Sequence, residues 1–194
     1  DFLETELRNV PERHRSIQAI FDTSWQRLSQ AEQDVFSSLS VFRGGFTRKA
    51  AQKVTGASLR LLATLANKSL LHYHKSRDCY QIHEFLRQCG ADKLAQDPVR
   101  EAEARQRHSA YYCAALQQRQ AKLKGARQQA VLAEIEADVE NTRAAWNWAV
   151  ANRQVERLAQ ALDSLGYFYK WRGRYQEGIA ACQLAAEQLA APES

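Results

Sequence analysis

Four side chains able to bind a metal or carry a proton fall within a dozen residues: His72, His74, Cys79 and His83. Imidazole and thiolate are both zinc ligands. Around the polar stretch Lys75-Ser76-Arg77-Asp78 they alternate with Leu71, Tyr73, Tyr80 and Ile82, so they share one face of a predicted β-hairpin. A hairpin spreads such a set over several cross-strand pairs, and the spacing matches no standard zinc module. The expected role is a solvated or domain-facing surface, with no metal bound. No G-x-x-x-x-G-K-[ST], H-E-x-x-H, G-x-S-x-G or G-x-G-x-x-G occurs, and Gly44-Gly45-Phe46-Thr47-Arg48-Lys49 has the wrong spacing for a phosphate loop. The segment is therefore expected to be non-catalytic.

A second chemistry open to these residues is phosphate contact. Arg60 and Lys68 lie on a predicted helix over 59–68, and Lys75 and Arg77 at the tip of the hairpin. These four are the candidate contacts to a DNA duplex, together with Asn67 as a reader of base edges. The helix is otherwise apolar (Leu59, Leu61, Leu62, Leu65), which predicts burial on more than one side.

The elements that must hold these residues are mostly helical. Ile17, Ile20, Phe21, Ser24 and Leu28 repeat at helical spacing over 14–28. Ser29-Gln30-Ala31-Glu32 reads as a capping box opening a helix to about Ser40, with Val35, Phe36 and Leu39 inward. Thr47 is placed to cap a short helix ended by Gly56, and Ser58 to cap the next. Pairing 75 with 78 sets Tyr73 opposite Tyr80 and Leu71 opposite Ile82. Three short helices and a hairpin predict a winged helix over 1–97, with a lead-in helix at its start. A helix over about 84–95 closes it, with Phe85, Leu86, Cys89 and Leu94 inward. Asp97-Pro98 is the predicted boundary.

Residues 98–194 read as helical repeats: a helix over 99–122, a polar connection over 117–129 broken at Gly125, and a helix over 127–151. That last helix carries Leu132, Ile135, Val139, Thr142, Trp146 and Ala149 on one stripe. From 159 to 190, Leu162, Leu165-Gly166, Tyr169, Gly173, Tyr175 and Ala185 stand at the offsets of one tetratricopeptide repeat. Gly166 is expected to admit the partner helix and Gly173 to make the turn. Tyr167, Tyr169, Lys170, Trp171 and Arg174 are placed either to line a concave face or, for the aromatic ones, to fill the core between repeats.

The 194 residues are 45% apolar and 25% charged, with a net charge of +5, which permits contact with nucleic acid without demanding it. No apolar run is long enough to span a membrane, and Asp1–Arg8 has no apolar core of a signal peptide. Cys79, Cys89, Cys113 and Cys182 form no tight framework, so free thiols and a cytoplasmic setting are expected. The chain contains no Met, even at position 1, which suggests a segment cut from a longer protein.

An ordered series of short motifs carries a family resemblance. It begins with Pro11-Glu12-Arg13-His14-Arg15-Ser16, Phe21-Asp22-x-Ser24-Trp25 and Leu39-Ser40-Val41-Phe42-Arg43-Gly44-Gly45-Phe46-Thr47. It continues through Asn67-Lys68-Ser69-Leu70-Leu71, Ile82-His83-Glu84-Phe85-Leu86-Arg87-Gln88 and Glu140-Asn141-x-Arg143-Ala144-Ala145. The series resembles bacterial STAND-type signalling ATPases, among them transcriptional regulators with a nucleotide-binding domain, a winged helix and tetratricopeptide repeats. The resemblance implies a non-catalytic regulatory segment whose winged helix clamps an upstream, ADP-bound nucleotide domain. Its repeats would take a protein or small-molecule inducer. ADP or ATP with Mg belongs to the full-length parent and no cofactor to this segment. Ile82-His83-Glu84 falls where that family carries a Met-His-Asp-like motif, which implies that His83 contacts a nucleotide phosphate. Ile replaces Met, and Glu84 replaces Asp. The alternative is a DNA-binding winged-helix regulator with a helical sensor domain.

Overall fold

The computed structural model describes residues 18–191, and among them the chain is mostly α-helical. The first helix, α1, is described over 18–26. It is followed by α2 (Gln30–Leu39), α3 (Arg48–Thr55), α4 (Leu59–Asn67), β1 (His72–His74), β2 (Cys79–Gln81) and α5 (Glu84–Leu94). Beyond lie α6 (Pro98–Leu123), α7 (Gln128–Ala137), α8 (Val139–Ala151), α9 (Val155–Trp171) and α10 (Tyr175–Ala190). The motif at Pro11–Ser16, the start of the helix expected over 14–28 and Ile17 lie outside the described residues.

The helix starts follow local chemistry. The Ser29–Glu32 capping box is complete: the Ser29 hydroxyl accepts from the Glu32 N–H, and the Glu32 carboxylate accepts from the Ser29 N–H at 2.7 Å. Thr47 and Ser58 cap α3 and α4 in the same way, accepting from Ala50 and Leu61. Asp97 caps α6 and Pro98 fills its first turn, where a missing N–H costs nothing. The hairpin adopts the predicted register, His72↔Gln81, Tyr73↔Tyr80 and His74↔Cys79. Phe46 extends it by exchanging two backbone hydrogen bonds with Tyr80 (2.9 and 2.8 Å).

Several expectations need correction. The helix expected over 127–151 is two helices, α7 and α8, broken at Asp138. Asp is a poor interior helix residue, and this one turns inward to accept from Arg119 of α6 at 2.9 Å. The connection expected over 117–129 shrinks to 124–127, because Gln117 to Lys122 are good helix formers and Leu123 is fully buried at the end of α6. Ile20 is exposed although it belongs to the expected inward stripe, while Phe21 is buried and Trp25 packs beside it. Tyr73 is also exposed, leaning on Tyr80 and donating to Asp78 at 2.7 Å, so the hairpin's apolar face narrows to Leu71, Tyr80 and Ile82. Only Leu62 and Leu65 of α4 are buried, so its outer face is open.

α6 is the spine. Its 26 residues span about 39 Å at the usual helical rise. It packs α2, α3 and α5 on one flank and α8 and α9 on the other. Small hydroxyls satisfy buried carbonyls where helices meet: Ser109 donates to Ala145 O at 2.8 Å and Ser164 to Leu116 O at 2.7 Å. The two flanks are joined by Asn141 of α8, which is buried. Its Oδ1 accepts from the Arg43 N–H at 2.7 Å and from His108 Nε2 at 3.2 Å, and its Nδ2 donates to Gly45 O at 2.8 Å.

In the α9–α10 pair, the glycine that permits close approach is Gly178 rather than Gly166. A Cβ at Gly178 would sit 3.0 Å from the Tyr169 Cβ, whereas one at Gly166 would meet nothing within 4 Å. Leu162 of the expected repeat core is exposed, as is Tyr175; Leu165, Tyr169 and Ala185 are buried. Gly173, at φ +67°, makes the turn between the helices.

Gly166→Ala relieves a helical glycine at no steric cost and should stabilise by up to about 1 kcal/mol. Gly178→Ala should destabilise, because Tyr169 Cβ is fixed to the backbone and α10 must move. Urea unfolding of the two variants should give opposite signs. His108 is buried among Asn141, Arg43 and Arg105. Burial drives its pKa down to about 4, with the two guanidinium groups adding to the effect and the Asn141 hydrogen bond opposing it. Its neutral form is favoured by folding, so stability is fully present above the unfolded value near 6.5 and is lost as pH falls toward 4. The loss reaches about 3 kcal/mol at the bottom of that window. Unfolding between pH 6.5 and 5 should show this slope in the wild type and a flatter one in His108→Gln.

Candidate functional site

His83 sits where β2 hands over to α5. It is the N-cap of α5, with Nδ1 accepting from the Phe85 N–H at 3.3 Å. The residue is exposed, so Nε2 is the nitrogen left for an outside partner. It borders a cleft of about 300 Å³ shared with Gly44, Gln81 and Arg87. Glu84 is committed to its own helix: its carboxylate accepts from Arg87 Nε at 2.8 Å and Nη2 at 2.7 Å, and from Gln88 at 3.0 Å. Those bonds, Arg87 foremost, hold its pKa near 2 against partial burial. Arg87 also donates to Ser40 O at 3.2 Å, which pins α5 to the end of α2. Glu84 thus orients Arg87, and the capping of α5 falls to His83.

Arg43 lies on the adjoining loop. Its guanidinium is partly buried, and burial, with Arg87 and Arg105 nearby, lowers its pKa while Glu84 opposes the shift. Arg43 does not line the cleft, and the charges that do, Arg87 and Glu84, pair with each other, which leaves the exposed His83 imidazole as the polar group at its edge without a second partner among the described residues.

The other hairpin imidazoles are engaged locally. His72 and His74 rings meet edge to face at 4.3 Å, and His74 Nε2 lies 2.9 Å from Gln81 Oε1. All four cysteines are free thiols; burial raises the pKa of Cys89 and Cys113.

The candidate phosphate contacts divide. Arg60, on the open face of α4, and Lys75 and Arg77, at the hairpin tip, are exposed and form no ion pair among the described residues. Lys68 does not belong with them. Its Nζ donates to the buried Glu32 at 2.7 Å, which ties the end of α4 to the capping box of α2 and lowers the Glu32 pKa. A lysine answering a buried carboxylate is structural, because removing it strands that charge.

The residues expected to line a repeat surface divide as well. Tyr169 is buried between α9 and α10, and Arg174 donates to Glu136 at 2.6 Å. Tyr167 and Trp171 stack at 4.9 Å on the outside of α9. Beside Lys170, α9 and α10 enclose an apolar groove of about 400 Å³ with Leu162 and Ile179 on its rim. Two features escaped the sequence: the Asn141 clamp, and a row of lysines on α3 and α6 that form no ion pair among the described residues. The repeated spacing of Lys49 and Lys53 was the available signal for the second.

No family model and no solved structure matches this chain. Among curated proteins it is similar to one from Mycobacterium bovis and to two from strains of Mycobacterium tuberculosis, each with 28% identity over 183 residues. The alignment covers 90% of this chain and 20% of each relative, so the chain spans about a fifth of their length. All three carry the provisional name of HTH-type transcriptional regulator.

Proposed function

We propose that this chain is a regulatory segment of a cytoplasmic transcription regulator, with a winged helix over 1–97 and a tetratricopeptide-like array over 98–194. The observation that carries the reading is the similarity to HTH-type regulators along nine-tenths of the chain. The order of α2–α4, hairpin and α5 supports it. In this reading α4 faces a DNA duplex with Arg60, and the hairpin tip reaches phosphates with Lys75 and Arg77. The open outer face of α4 is what a groove-reading helix requires. Its few cations favour positioning on the backbone over direct base reading.

Salt-dependent binding of a fluorescent duplex tests this. Replacing Arg60, Lys75 and Arg77 together with Ala should weaken binding roughly tenfold or more, and should flatten the salt dependence by about 0.9 per lost phosphate contact. Lys68→Ala should instead lower stability and leave the salt dependence intact. Binding unchanged in the triple variant removes these residues from the interface.

One observation favours a second reading, the STAND-type clamp. His83 presents an exposed imidazole nitrogen at the edge of a cleft, where it is placed to donate to a nucleotide phosphate. ADP or ATP held by an upstream domain would supply that phosphate, and His83 would donate to it from the N-cap of α5. Arg87 and Glu84 would keep α5 in place beneath it. In the longer protein, His83→Ala should then release nucleotide: denaturing the purified protein and quantifying ADP and ATP should show less than in the wild type. Equal nucleotide in both removes His83 from the mechanism.

A further inference from the structure

A second group of uncompensated cations lies away from the hairpin, in a groove of about 410 Å³ between α3 and α6. Lys49 and Lys53 of α3 form one wall, and Gln118, Arg119 and Lys122 of α6 the other. The three lysines are exposed and form no ion pair among the described residues. The groove's one acidic neighbour, Glu134, is already taken: it accepts from Arg119 Nε at 3.3 Å, while Asp138 accepts from Nη2 at 2.9 Å. Nη1 of the same guanidinium is buried and has no hydrogen-bond partner. That donor is closed off from solvent, so the cations the groove presents are its three lysines.

The spacing selects the kind of anion. Lys49 and Lys53 are four residues apart, as are Gln118 and Lys122, so each pair is separated by about 6 Å along its helix. Two rows of donors run along the groove, which suits a line of charges better than a single ion. The apolar part of the lining is Ala114, Ala115 and the half-buried Tyr111. Protein partners are usually anchored by large apolar or aromatic side chains in deep pockets, and this groove offers no such seat. Lysines act as point charges for phosphates without demanding a fixed geometry.

We propose that the α3–α6 groove tracks the sugar–phosphate backbone of a DNA duplex, as a contact separate from Arg60, Lys75 and Arg77. The inference rests on the reading of the chain as part of a DNA-binding regulator. α6 is shared between the two halves of the molecule, so a duplex held here would touch both.

The test compares two triple variants of the 194-residue chain, each checked for wild-type helicity and melting temperature. One is Lys49→Gln/Lys53→Gln/Lys122→Gln; the other is Arg60→Ala/Lys75→Ala/Arg77→Ala. Binding to a fluorescent duplex is titrated from low to physiological salt. The groove variant should bind roughly tenfold or more weakly, with the salt dependence flattened by up to about 3 in slope. If the groove variant binds like wild type while the other triple variant loses binding, this inference fails and the DNA reading stands. If the wild type binds no duplex at low salt, the DNA reading itself fails and takes this inference with it. Binding of poly-glutamate but not duplex, abolished in the groove variant, would assign the groove to an acidic protein and overturn the proposal.

Discussion

One buried amide joins the two flanks of this molecule. Asn141 of α8 reaches the loop at 43–45 and the imidazole of His108, using both its oxygen and its nitrogen. A side chain that is both donor and acceptor can satisfy two irregular backbone groups at once, and the loop before α3 has such groups to satisfy. The Arg43 N–H and Gly45 C=O would otherwise be left without partners in a closed interface. His108 is held neutral by the same environment, with its Nε2 proton turned to Asn141. Around this point stack Phe42, Phe46 and Tyr112: Phe42 lies 4.4 Å from Phe46 and meets His108 edge-on at 5.2 Å. The polar clamp sits inside an aromatic cluster, where an unmade hydrogen bond is most costly.

Charge follows a similar logic. Where a carboxylate is buried, a cation answers it: Glu32 has Lys68, and Asp138 has Arg119. These pairs hold helix ends and helix breaks in place, so they leave the list of groups free to act. Among the cations that form no ion pair among the described residues, Arg60, Lys75 and Arg77 lie on the α4–hairpin side, and Lys49, Lys53 and Lys122 line the α3–α6 groove. Functional readings of the surface rest on this partition more than on the net charge.

The position of His83 shows how local rules and long-range packing combine. The handover from strand to helix needs a cap, and His83 fills that place through Nδ1. Capping through one ring nitrogen leaves the other outward. Glu84 is drawn to Arg87, and Arg87 to the carbonyl of Ser40, so the start of α5 is braced against the end of α2.

Local interactions were legible in the sequence. The capping box at Ser29, the caps at Thr47 and Ser58 and the hairpin register each depend on residues a few positions apart, and each could be read directly. What depends on distant partners could not be read. The helix over 127–151 looks continuous until Arg119 draws Asp138 inward. The linear pattern points to Gly166, and only the packing against Tyr169 shows that Gly178 is the one that lets the helices touch. Lys68 looks like a phosphate contact until Glu32 claims it from 36 residues away. Asn141 sits in a recognisable motif, yet its bonds to Arg43 and Gly45 span nearly half the chain. Backbone capping and periodicity are short-range and leave their mark on neighbouring residues. Burial, ion pairing and helix contact are set by which surfaces meet, and only the tertiary structure decides that.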